Sequence, residues 1–313
     1  METYLCLTID CECDKGPGWR CQYPLSFQGI KTGIRDILQP MFRRYNAKPT
    51  YLLSSEILRD EESVEVLGRL QEHAELGSHL HGEFAEPGAS SPDVTLAVQC
   101  DYSPAVERLK LQYLTDQFCL AFGRPPTSFR AGRFGLGRNS LSILEDLGYQ
   151  VDSSVTPHKD WSNLGRASLS YRGAPSQPYL PDSASPAIRR SDNRRDGIYE
   201  VPVTIRPSRL SRVPLIGNLV EPRWLRPTRG SLDGLLDVCR EEIAEVRSRG
   251  NDSITVLNCM FHNVEIVPRA SPYAETEKQA QSILDRLEGL LDFVKREKIR
   301  VVGLSEIPVL MRS

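Results

Sequence analysis

The sequence predicts an α/β fold: a parallel sheet covered by helices and curled into a distorted (β/α) barrel of about seven or eight units. Three observations carry this expectation. Short apolar and β-branched runs alternate with longer runs whose apolar residues recur at i, i+3 and i+4. Such alternation indicates parallel strands joined by helical crossovers. The number of units favours a barrel over an open doubly wound sheet, and 313 residues suit one barrel domain (1–313) with insertions.

In chain order, residues 4–10 (YLCLTID) read as a buried strand. A helix follows with Ile30, Ile34, Ile37, Leu38, Met41 and Phe42 on one face. Residues 49–53 give a second strand, 61–73 a charged helix and 74–79 a third strand. The helix over 104–122 is stopped by Gly123 and the Pro125–Pro126 pair. Residues 127–131 are a strand, 140–148 a helix closed by Gly148, and 149–154 and 198–204 strands. A helix over 231–249, an apolar strand over 253–261, an amphipathic helix over 275–297 and a last strand over 301–304 complete the pattern.

Two segments interrupt it, at about 157–197 and 206–229. The first holds Arg189, Arg190, Arg194 and Arg195; the second holds Arg206, Arg209, Arg212, Arg223, Arg226 and Arg229 against one acid, Glu221. They read either as solvated loops or as a basic rim for an anionic lipid-linked carrier or membrane surface.

Composition narrows the function. An apolar share of 40% supports a large core, and 39 basic against 41 acidic residues create no field for nucleic acid. No run approaches the ~20 apolar residues of a membrane span, and METYLCLTID lacks the pattern of a signal peptide. A cytoplasmic location is expected, with the inner membrane face as a place of attachment. The eight cysteines read as thiols in a reducing compartment. Cys11, Cys13 and Cys21 crowd together but match no common structural zinc spacing.

Barrels of this type place function at the C-terminal ends of their strands. Those ends carry Asp10, Glu12 and Asp14; His79, His81 and Glu83; Arg130; Asp152; and His262 with Glu265. An acid with two histidines is a ligand set for a divalent ion such as zinc. Asp10 and Glu12 face one side of an extended strand end, so one can ligate while the other acts as a base, and Cys11 faces away. His79 and His81 share a side if extended; His79 and Glu83 share one if helical. His262 reads as a general acid or a further ligand. The small neighbours of Arg130 let it reach a carboxylate such as Asp10. Asp152 either orients a histidine or caps the following turn.

In order, LTIDCE, HAELGSHLHGE, FRAGRFGL, GYQVDSSVTP and FHNVEIVPRASPYAETE resemble the motifs of the polysaccharide deacetylase superfamily (NodB homology, carbohydrate esterase family 4). The last resembles a branch found in exopolysaccharide and lipopolysaccharide biosynthesis. The resemblance spans roughly 4–155 and 198–307. It implies a NodB-like barrel that hydrolyses an N-acyl, typically N-acetyl, group on an amino sugar of a glycan; the expected cytoplasmic location points to a lipid- or nucleotide-linked precursor. It further implies a divalent metal cofactor, Zn2+ foremost, with Asp10 as base, Glu12 and His79 as ligands, Arg130 tethering the base and His262 as acid. Where the family motif has a second histidine, position 83 is Glu, so the further ligand is Glu83 or His81. Cys11 splits the usual adjacent acids, leaving Glu12 or Asp14 as the carboxylate ligand. Asp152 matches the family's fourth motif loosely. Two alternatives are a deformylase-type hydrolase acting on a lipid-linked sugar and a non-catalytic glycan-binding barrel.

Overall fold

The computed structural model describes residues 1–87, 98–162, 169–183, 185–192, 196–208, 221–250 and 253–312. At its centre lies β1 (Glu2–Cys11), followed in the chain by β2 (Thr50–Leu53), β3 (Glu75–Leu80), β4 (Ser128–Ala131) and β5 (Val151–Asp152). Next come β6 (Pro181–Asp182), β7 (Ser185–Arg189), β8 (Tyr199–Glu200), β9 (Ile205–Arg206) and β10 (Arg223–Trp224). The last strands are β11 (Ile254–His262) and β12 (Arg300–Val301). The main sheet runs β11-β1-β2-β3-β4-β5-β8 with every pair parallel. β12 takes the first half of the β1 edge, at Tyr4 and Leu5, and β2 takes the second half, from Thr8 to Cys11. The small ladders β6–β7 and β9–β10 are antiparallel. This is the distorted (β/α) barrel that the alternation predicts.

Gln177 and the chain following β8 close the barrel onto β11. Val256 N donates to Gln177 Oε1 at 2.8 Å, and Gln177 Nε2 returns a bond to Val256 O at 3.2 Å. Asn258 Nδ2 donates to Val201 O at 3.0 Å, and its backbone exchanges bonds with Thr204. The strand expected over 198–204 shrinks to Tyr199–Glu200 because Pro202 has no ladder donor, and the one expected over 149–154 shrinks to Val151–Asp152.

A π-wound segment, Gly29–Leu38, continues into α1 (Gln39–Tyr45). The other main helices are α2 (Glu61–Gly68), α3 (Pro104–Phe122), α4 (Ser140–Asp146), α5 (Leu232–Arg249) and α6 (Glu277–Arg296). The sequence sets their ends. Ser103, Ser231 and Thr276 accept backbone N–H bonds at the N-caps, and Gly123 and Gly250 adopt the left-handed C-cap conformation. The helix expected over 61–73 stops at Gly68, the poorest helix former in the run. No described helix is long and apolar enough to cross a membrane.

The pleat of β1 sorts its residues between two cores. Leu5, Leu7, Ile9 and Cys11 pack in the layer beneath the helices, with Ile30, Ile34, Leu287 and Leu290. Tyr4 and Cys6 face the barrel interior, with Val151, Val201 and Val256. Thr8 and Asp10 continue that inward row toward the C-terminal end.

Three arginines of the second insertion have carboxylate partners elsewhere in the chain. Arg206 pairs with Glu242 and Glu245, Arg223 with Glu241 and Arg226 with Glu265. A local charge count registers only Glu221, because the neutralising acids come from α5 and from the end of β11. Arg194, Arg195, Arg209 and Arg212 lie outside the described residues.

Candidate active site

Glu12 continues the inward row of β1 past the strand end. Asn263 holds its backbone with two bonds: Glu12 N donates to Asn263 Oδ1 and Asn263 Nδ2 donates to Glu12 O, each at 3.0 Å. This clasp needs Gly29, where a Cβ would come within 2.5 Å of Asn263 Nδ2. Asp14 is engaged elsewhere, accepting from Gln28 N at 2.8 Å and Gly29 N at 2.9 Å at the start of the π-wound segment. Of the two candidate carboxylates, Glu12 is therefore the one in the site.

His79 and His81 both point inward, as an extended segment requires, while Leu76 and Leu80 join the helix-side core. His79 Nδ1 donates to Arg130 O at 2.9 Å, which leaves Nε2 as the nitrogen turned toward the site. His81 Nδ1 donates to Glu83 Oε1 at 3.2 Å. The two Nε2 atoms are 3.1 Å apart, and Glu12 Oε1 lies 3.1 Å from His81 Nε2 and 3.5 Å from His79 Nε2. Ligand atoms of Glu12, His79 and His81 all fall within 4.8 Å of one another, and all three residues are buried.

Glu83, expected among the ligands, is drawn away by Arg133, whose guanidinium donates to both of its oxygens at 2.7 and 3.2 Å. Glu83 thus stands behind His81 as an orienting acceptor, a role common around metal-bound imidazoles. The turn that delivers Arg133 depends on Gly132, where a Cβ would sit 2.4 Å from Leu80 O.

Arg130, with no exposed surface, crosses the barrel to Asp10. Nη1 donates to Asp10 Oδ1 at 2.7 Å, Nη2 to Thr8 Oγ1 and Ser153 Oγ at 2.8 Å each, and Nε to Ser153 O at 2.7 Å. Burial alone would raise the Asp10 carboxyl, but Arg130, His79 and His262 outweigh it and hold it below its usual range. Burial likewise opposes ionisation of Glu12, and His81 and Lys15 overcome it, holding Glu12 well below the carboxylate range. Lys15 Nζ faces Glu12 Oε2 at 2.9 Å, so Oε1 is the oxygen turned to the histidines.

His262 closes the other side. Its Nε2 lies 3.5 Å from Glu12 Oε1 and 4.0 Å from Asp10 Oδ2, and its Nδ1 pairs with Glu265 Oε1 at 2.7 Å. Arg226 and Thr228 in turn donate to Glu265. Trp19 meets the His262 ring edge-on with centroids 4.8 Å apart, and Tyr273 packs beside Trp19 at 5.1 Å.

Asp152 faces the other way. Ser153 points inward to Arg130 and Asn258, so the pleat turns Asp152 outward, where it accepts from Ser154 Oγ at 2.6 Å and Ser154 N at 3.3 Å beside Glu200. The contacts are those of a turn cap, the second of its two readings. Thr228, Asn263 and Lys15 escape the sequence reading, which places Arg226 only in a basic rim.

No family model and no curated protein matches the chain. Solved structures do. A protein of Parabacteroides distasonis assigned as a glycoside hydrolase or deacetylase is 14% identical, with 99% of this chain and 71% of that one covered and a TM-score of 0.65. One of Pseudomonas aeruginosa assigned as a polysaccharide deacetylase is 13% identical, with 99% and 90% covered and a TM-score of 0.57. The Puue allantoinase is 12% identical, with 99% and 89% covered and a TM-score of 0.55. The chain therefore has the NodB-type barrel fold of the polysaccharide deacetylases. An allantoinase on the same fold means that the reaction must be argued from the site.

Proposed function

We propose that this chain is a divalent-metal-dependent hydrolase that removes an N-acyl group, acetyl foremost, from an amino sugar of a glycan or of its lipid- or nucleotide-linked precursor. The observation that carries the proposal is the convergence of Glu12 Oε1, His79 Nε2 and His81 Nε2 beside an arginine-held Asp10 and a glutamate-held His262. The donor set fits a cation. The two imidazole Nε2 atoms turn to each other at 3.1 Å, next to a carboxylate, which a positive centre between them stabilises.

Glu12, His79 and His81 would hold the ion, and two imidazoles with one carboxylate suit zinc. When bound, the cation supplies Lewis acidity, making water acidic near neutral pH and polarising a carbonyl oxygen. Asp10 takes the proton of the attacking water at Oδ2, since Oδ1 is tied to Arg130. His262 gives a proton from Nε2 to the departing amine, and Glu265 at Nδ1 keeps that nitrogen aimed at the site. Trp19 and Tyr273 form the apolar wall on the His262 side.

The test is acyl release from N-acetylated and N-formylated amino sugars, free, oligomeric and nucleotide-linked. Acetate release that requires added metal and vanishes in Asp10→Asn supports the reading. Metal-loaded protein that releases neither acetate nor formate from any of them refutes it.

A further inference from the structure

The loop leaving β1 holds two thiols that the proposed hydrolysis does not use, beside the lysine that pairs with Glu12. Cys13 Sγ and Cys21 Sγ lie 3.6 Å apart, and Lys15 Nζ stands 3.5 Å from the first and 3.4 Å from the second. Local backbone structure brings the three together. Lys15 and Cys21 form an antiparallel bridge, and Cys13, two residues before Lys15, projects to the same side. The turn between them is closed by Gly16 N donating to Arg20 O at 2.7 Å, and it carries Trp19. Cys13 is fully buried and Cys21 half-buried, so Cys21 is the more accessible of the two residues. Cys6, Cys11, Cys239 and Cys259 are by contrast buried in the core.

We propose that Cys13 and Cys21 are a reversible modification site, oxidised to a disulfide by exchange with a low-molecular-weight disulfide of the glutathione type. A disulfide needs its sulfurs about 2.05 Å apart, so the pair must close by roughly 1.5 Å, within reach of side-chain rotation across a bridged turn. Cys21 attacks first as the thiolate, forming a mixed disulfide and expelling one glutathione thiolate. Cys13 then attacks the Cys21 sulfur and expels the second. Both cysteine S–H bonds are lost and one S–S bond forms. The two protons end on the two glutathione thiols, which also receive the two electrons. The Cys13 thiol and the Lys15 ammonium, 3.4 Å away, both lie against Cys21 Sγ and favour the thiolate that attacks first. The linkage staples the turn that holds Trp19 against His262.

The experiment uses the full chain and asks nothing of the hydrolase reading. Protein equilibrated over a range of oxidised-to-reduced glutathione ratios is quenched with N-ethylmaleimide, digested with trypsin and sequenced by mass spectrometry. The expected result is the loss of two of the eight alkylatable thiols and a link between peptides 1–15 and 21–31 through Cys13 and Cys21, reversed by dithiothreitol. In Cys13→Ser the reaction stops at a glutathione adduct on Cys21. Alkylation of both cysteines at every ratio, pairing with any other cysteine, or a lasting adduct on Cys21 in the unaltered protein would overturn the proposal.

Discussion

His79 Nε2 and His81 Nε2 stand 3.1 Å apart, each ring fixed from behind, one by the Arg130 carbonyl and the other by Glu83. With both Nδ1 atoms donating, two lone pairs would face each other beside a carboxylate, an arrangement that a positive centre between them relieves. Without a cation that charge is a proton on His81. Burial alone would lower the His81 imidazole, but the Glu12 and Glu83 carboxylates outweigh it and push it up to about 10.

Metal uptake should therefore release a proton. At neutral pH the cation displaces it from His81, and affinity should rise about tenfold per pH unit up to near 10. Calorimetric zinc titrations at pH 7 in buffers of different ionisation enthalpy should show close to one proton released per ion; none released would contradict this. The proton also stabilises the unloaded fold. Because the folded value is raised, that contribution is present below the unfolded value of about 6.5 and is lost as pH rises through about 10.

Glu83 and Glu12 should separate cleanly on substitution. Glu83 only orients His81, so Glu83→Gln should weaken zinc binding about 10- to 100-fold without changing the stoichiometry at saturation. Glu12→Ala should remove the site. Competition against a chromophoric chelator distinguishes the two; equal loss in both would make Glu83 a ligand.

The Arg130–Asp10 pair is buried on both sides, so removing one partner leaves an uncompensated charge. Arg130→Met should cost about 3–5 kcal/mol in denaturant unfolding, and adding Asp10→Asn should return part of it. Asp10 is depressed in the folded state, so its contribution is present above the unfolded value of about 3.9 and is lost as pH falls through the folded value. The gap between Arg130→Met and the unaltered protein should narrow in acid. A gap independent of pH would place the loss in packing alone.

His262 touches the site without belonging to the cluster of three ligands. Its replacement by Ala should lower kcat about 10²- to 10⁴-fold and leave the ion bound. Glu265→Gln, which weakens the hold on Nδ1 and also takes the charge partner from Arg226, should fall between. Loss of the ion in His262→Ala would make it a ligand instead.

Much of this arrangement was legible in the sequence because it follows from strand periodicity. Alternation along YLCLTID puts Asp10 inward and Cys11 outward, and HLH puts both imidazoles on one side. Helix α3 spans the 104–122 expected from its stop at Gly123 and the Pro125–Pro126 pair. The failures come where periodicity loses its frame or partners are distant. β5 is a two-residue strand, too short to fix from sequence which face Asp152 takes. The link from Arg226 to Glu265 joins an insertion to the end of β11, 39 positions away. Asn263 serves Glu12 from 251 positions away, and a lone asparagine carries no sign of that.

The account rests on a cation held by Glu12, His79 and His81, and elemental analysis tests it most directly. Protein equilibrated with zinc and then desalted should carry one ion per chain, while Glu12→Ala and His79→Ala, shown to be folded, should carry almost none. A folded, unaltered chain that retains no zinc, or variants that retain as much as it does, would contradict the account.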